Sequence, residues 1–131
     1  MQNLCRVSLR FAAINGHSET VQVLLAKGAE ANTKSNDGVT VLISAAGNGY
    51  TDIVRALLTK GAEVNAKTGE GMTALMGAAL NGHTETVQVV SLAKRVDLNL
   101  KTNKGYTALM IATVSNHPDI VRLLKSAGAK E

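Results

Sequence analysis

Aromatic residues are nearly missing from this chain of 131 residues: Phe11, Tyr50 and Tyr106 stand without any tryptophan. A core anchored on large rings is thereby excluded, and small aliphatic side chains must fill it. Cysteine occurs once, at Cys5, so no intrachain disulfide can form, which fits a reducing cytoplasm. Charge is also scarce: 18% of residues are charged against 45% hydrophobic, which excludes a disordered chain. No apolar run approaches the roughly 18 residues of a membrane span. Arg6 and Arg10 interrupt the first ten residues, so these do not read as a secretory signal.

What is present is repetition. Leu9, Leu42, Leu75 and Leu109 are spaced 33, 33 and 34 residues apart. Gly16, Gly49, Gly82 and Asn116 follow the same spacing, as do Glu19, Asp52, Glu85 and Asp119. Asn32, Asn65 and Asn99 are spaced 33 and 34. Several position classes share one period, which divides a single domain, 1–131, into repeats of approximately 2–34, 35–67, 68–101 and 102–131.

Each repeat reads as two short helices and a polar loop. Thr40, Thr73 and Thr107 open the first helix, where a hydroxyl accepts an orphan backbone N–H. Val7 holds that place in the first repeat and cannot cap. Paired alanines, Ala12–Ala13, Ala45–Ala46 and Ala78–Ala79, allow neighbouring helices to approach closely. Gly16, Gly49 and Gly82 then end the helix in the left-handed conformation, with Asn116 as the next-best residue. Pro118 fits the first position of a second helix. An acid follows at once in every repeat, favouring the positive end of the helix dipole. Ile53–Val54 with Leu57–Leu58 form one apolar stripe at helical period. Gly28–Ala29, Gly61–Ala62 and Gly128–Ala129 close it. Such a pair is too small to bury its own stripe, so stacking of copies is required.

These residues resemble ankyrin repeats: Gly-x-Thr-x-Leu, then Ala-Ala, Asn-Gly-His, Ile-Val and Leu-Leu, and Gly-Ala-Glu-Val-Asn-Ala-Lys, over essentially the whole chain. The resemblance implies an all-α solenoid of helix–loop–helix–hairpin units, gently curved, that binds proteins and carries out no chemistry of its own. Two departures stand out. Ser8, Val41, Ala74 and Ala108 replace the family's proline, and Arg10, Ile43, Met76 and Met110 its histidine, so the first helices should rest more on apolar packing. The third repeat has one extra residue between Val90 and Val96 and reads Lys94–Arg95–Val96 where the others have Gly-Ala. A weakened joint or shifted helix is expected at residues 91–96.

No catalytic, cofactor or metal site is expected. His17, His83 and His117 recur one repeat apart, and stacked helices lie about 8–10 Å apart, too far to share an ion. They read as turn residues bonding backbone at the start of the second helix. Cys5 reads as a half-buried terminal residue, since His17 lies at the other end of its helix. Gly69-Glu70-Gly71 lacks the strand and the Gly-Lys-Thr of a phosphate loop. The net charge of +4 is divided between the outer repeats, and the central two are neutral. A concentrated basic face is absent, which argues against nucleic acid.

The family's usual binding surface is formed by the hairpin tips and the exposed face of the first helices. Carried onto this sequence, the tips are Asn36, Asp37 and Val39, then Gly69, Glu70 and Met72, then Asn103, Lys104 and Tyr106. The helix positions are Gly47 and Asn48, Leu80 and Asn81, and Val114 and Ser115. Val39, Met72 and Tyr106 share one apolar tip position, and Lys34, Lys67 and Lys101 form a row beside it. The expectation is a monomeric cytoplasmic module binding a protein partner of acidic character, without small-molecule substrate, membrane or nucleic acid. The alternative is a scaffold piece or a segment of a longer array. Both ends read as caps, which favours a self-contained protein of four repeats.

Overall fold

The computed structural model describes residues 2–131, with side chains from Val7 onward, so the reading of Cys5 falls outside the described side chains. Eight helices follow in order among them: α1 (Gln2–Ile14), α2 (Ser18–Ala26), α3 (Val41–Gly47), α4 (Thr51–Thr59), α5 (Ala74–Leu80), α6 (Thr84–Ser91), α7 (Ala108–Val114) and α8 (Pro118–Ala127). Helices α1, α3, α5 and α7 pack in sequence as one layer, and α2, α4, α6 and α8 as the second. The described residues form no strand, only one isolated bridge between Lys34 and Thr40. The all-α solenoid expected from the repeat is the fold observed.

The core lies between the layers and repeats with the sequence. Leu9, Leu42, Leu75 and Leu109 are all buried, and so are Ala12, Ala45, Ala78 and Ala112. Alanine at this place sets the distance between first helices, so a larger side chain would wedge the repeats apart. Met76 is buried as well, in agreement with first helices that rest on apolar packing.

The threonine caps form as the sequence indicates. Thr40 Oγ1 accepts from Ile43 N (3.0 Å), Thr73 Oγ1 from Met76 N (3.3 Å) and Thr107 Oγ1 from Met110 N (3.2 Å). The first repeat differs. With no cap at Val7, the helix continues back to Gln2 and reaches 13 residues, against seven in α3.

Gly49 and Gly82 serve two purposes. Both have positive φ (75°), and a ring from the next repeat lies over each. A methyl group on Gly49 would sit 2.6 Å from the His83 ring, and one on Gly82 2.8 Å from His117. The histidines also correct their sequence reading. None caps its own helix through its side chain. Instead Nε2 of His83 donates to the Gly47 carbonyl (3.1 Å) and Nε2 of His117 to the Leu80 carbonyl (3.2 Å), each in the preceding repeat.

The third joint is altered, as expected. Elsewhere the second helix closes by a bond from the residue after glycine to a carbonyl five residues back: Ala29 N to Leu24 O, Ala62 N to Leu57 O, Ala129 N to Leu124 O. Here α6 ends at Ser91, Arg95 takes the left-handed conformation (φ 67°), and Val96 N reaches only Ala93 O.

The outer side of the first pair is not the polar face of a cap. Val7, Phe11 and Val23 are exposed there, because the first repeat keeps apolar residues at positions that inner repeats bury or half-bury.

Candidate partner-binding surface

Each hairpin tip is a tight turn closed by its own residues. Ser35 N donates to Val39 O (2.9 Å), Thr68 N to Met72 O (2.9 Å) and Thr102 N to Tyr106 O (2.8 Å). Gly38, Gly71 and Gly105 supply the positive φ that each turn requires. The Ser35, Thr68 and Thr102 hydroxyls accept the N–H of Val39, Met72 and Tyr106. The apolar tip residue therefore leaves every turn at a fixed position, directly ahead of the capping threonine.

From that residue one stripe runs up each first helix at i, i+4 spacing, which is one helical face. It reads Val39, Ile43, Gly47 in the second repeat, Met72, Met76, Leu80 in the third, and Tyr106, Met110, Val114 in the fourth. Exposure is greatest in the fourth repeat. Val39 and Ile43 are half-buried, and the stripe ends at Gly47, which has no side chain. Met72 is half-buried against the core and Met76 is 1% exposed, but Leu80 is 47% exposed. Tyr106 is 51%, Met110 39% and Val114 82% exposed. The line of three apolar tips is thus uneven, and Tyr106 is the only one of them classed as exposed. Met110, in the middle of the stripe, was missed in the sequence, where the tip residues and Gly47, Leu80 and Val114 were singled out without being joined into one line. The i, i+4 spacing from Tyr106 was the available signal.

At the other end of the stack Val39 borders a small cleft with Arg10, Ile14 and Ser44, so the first tip and the first helices share one surface. Asn36, Asp37, Asn48, Glu70 and Lys104 are exposed on it. Ser115 is half-buried at its end.

Three polar groups of this surface are also struts between repeats. Asn81 Nδ2 donates to Gly47 O (2.8 Å), which also receives His83. Asn103 Nδ2 donates to Gly69 O (2.9 Å), and its backbone N–H to Glu70 O (3.1 Å). Lys67 Nζ donates to Lys101 O (3.1 Å). These bonds hold neighbouring tips at fixed separation, so the apolar stripe is presented by a tied frame rather than by independent loops.

A second ladder, on the far loops, explains the spaced asparagines. Asn32 Oδ1 accepts from Glu63 N (2.7 Å) and its Nδ2 donates to Gly61 O (3.3 Å). Asn65 does the same with Asp97 N (2.8 Å) and Arg95 O (2.7 Å), and Asn99 accepts from Lys130 N (2.9 Å). The sequence reading recorded the spacing without assigning it a role.

A family model of ankyrin repeats, three copies long, matches residues 8–68 and again 63–131. The chain belongs to the ankyrin repeat family, whose members serve generally as protein–protein interaction modules. The two matched spans together cover residues 8–131, which hold the four helix pairs. No curated protein matches the chain closely enough to count as a relative. Among the described residues no cluster of three metal-ligating side chains occurs, and no helix is long and apolar enough to cross a membrane.

Proposed function

We propose that this chain is a non-enzymatic cytoplasmic docking module that takes a protein segment along its hairpin tips and first helices, with its affinity concentrated on the last two repeats. One observation carries the reading: the apolar stripe Tyr106–Met110–Val114, with Leu80 beside it, is exposed on a surface whose frame is already tied by hydrogen bonds. A fixed surface loses little conformational entropy on binding, and tyrosine offers large area at low entropic cost. Exposed Lys101 and Lys104 border the stripe, so the segment favoured is an apolar one flanked by acidic residues.

A photo-crosslinking residue at Val114 tests this in cells, with Leu92 on the other layer as control. Capture at Val114 and none at Leu92 is the expected result, and Tyr106→Ala with Val114→Ser then weakens binding of the captured protein at least tenfold. Capture at Leu92 alone, or undiminished affinity in the double variant, overturns the reading.

A further inference from the structure

The first helices of three repeats run into the same dipeptide: Asn15–Gly16, Asn48–Gly49 and Asn81–Gly82. An asparagine followed by glycine can react with its own main chain, because glycine has no side chain to keep its nitrogen away from the asparagine amide. All three asparagines are exposed to water. The backbone does not distinguish them. Asn48 (φ −90°, ψ −5°) and Asn81 (φ −92°, ψ 4°) hold nearly one conformation. Each glycine N–H bonds the carbonyl three residues back, at 3.1–3.4 Å.

The side chains do distinguish them. Asn15 Nδ2 donates to Phe11 O (2.8 Å), one turn back in its own helix. Asn81 Nδ2 donates to Gly47 O (2.8 Å) in the preceding repeat. The Asn48 amide has no partner among the described residues. The carbonyl equivalent to that of Gly47 belongs there to Ile14, whose branched side chain stands where Gly47 has none.

We propose that Asn48–Gly49 is a site of spontaneous modification, at which Asn48 deamidates through a succinimide while Asn15 and Asn81 are held back by their hydrogen bonds. The Gly49 nitrogen, its proton taken by solvent base, attacks Asn48 Cγ. The Cγ–Nδ2 bond breaks, and the amide nitrogen takes a proton from solvent and leaves as ammonia. Water then opens the ring. Opening at Cγ gives aspartate. Opening at the Asn48 main-chain carbonyl gives isoaspartate, whose main chain runs through Cβ and is one atom longer. Both products place a carboxylate on the exposed first-helix surface and lower the net charge by one.

Isoaspartate also acts on the next repeat. The His83 ring lies over Gly49 so closely that an added methyl would sit 2.6 Å from it, and His83 Nε2 bonds Gly47 O (3.1 Å). A longer main chain ahead of Gly49 displaces the surface on which that ring rests, and the junction of the second and third repeats loosens. The site is independent of the reading of Tyr106.

Peptide mapping of the intact chain, held warm at mildly alkaline pH both folded and in concentrated urea, tests this. Trypsin puts the three sites on separate peptides, 11–27, 35–55 and 68–94, and fragment ions separate Asn48 from Asn36 on the second. In the folded chain Asn48 should convert about fivefold faster than Asn81, the factor that one hydrogen bond of about 1 kcal/mol imposes on release of the amide. Asn15 should also lag, and in urea the three rates should be alike. Aged wild type should gain a lower melting transition, and Asn48→Ser, which carries the residue found at position 115, should not. The proposal is overturned if Asn15 or Asn81 keeps pace with Asn48 in the folded chain, or if folded Asn48 stays intact while the urea sample reacts. Ageing that lowers the melting of Asn48→Ser equally overturns the consequence for the junction.

Discussion

The second and third joints occupy equivalent places inside one stack and are built differently. At the second, Gly61 turns the chain and Ala62 N closes back on Leu57 O (3.0 Å). At the third, one more residue intervenes, Arg95 takes the turn at φ 67°, and the closing bond spans three residues instead of five. Yet beyond the turn the two joints agree. Asn32 clasps Gly61 and Glu63, and Asn65 clasps Arg95 and Asp97 through the same atoms. The inserted residue is absorbed within the exposed turn, and register is restored by the asparagine. A stack held by nearest-neighbour contacts tolerates an insertion wherever it leaves the docking groups in place.

If the asparagine restores register, its removal should harm the third joint most. Asn65→Ala gives up two inter-repeat bonds and is expected to cost about 2 kcal/mol, at about 1 kcal/mol per bond. Urea titration of Asn65→Ala beside Asn32→Ala checks this, and a larger loss at Asn32 would reverse the comparison. The exchange Gly61→Arg should cost about 1–2 kcal/mol, the penalty of a side chain in the left-handed region. Arg95→Gly should move stability the other way by a smaller amount, because added glycine freedom in the unfolded chain offsets part of the gain. Amide exchange is expected to be faster at Val96 than at Ala62, and equal rates would show the altered closing bond to be of no consequence. The smallest effect belongs to Leu92. The insertion puts it on the solvent row that Ala26, Thr59 and Ser126 also occupy, and it is exposed. Leu92→Gln should change the melting temperature by no more than a typical surface substitution, within about 0.5 kcal/mol.

Much of the stack was legible residue by residue. The threonine caps, the alanine pairs, Asn116 in the left-handed conformation and the shortened α6 each follow from local chemistry that a sequence records directly. Apart from the start of α1, what was misread involved partners more than thirty residues away. The histidines were assigned to their own helices, and His83 and His117 instead bond the repeat before them. The spaced asparagines were noticed and given no role. α1 was expected to begin near Val7, and runs back to Gln2. The candidate surface was half legible: the tip positions follow from the period, but their exposure does not.

By itself, then, the sequence determined the unit, its number and the family, because helix caps, glycine turns and apolar period are properties of neighbouring residues. Tertiary structure alone decided which members of an equivalent row face solvent. Met76 and Met110 hold the same place with the same side chain, yet one is 1% and the other 39% exposed. The same holds at the other end for Val23, exposed where Ala56 and Val89 are half-buried. Burial depends on the repeats on either side, and a repeat at the end of a stack lacks one of them.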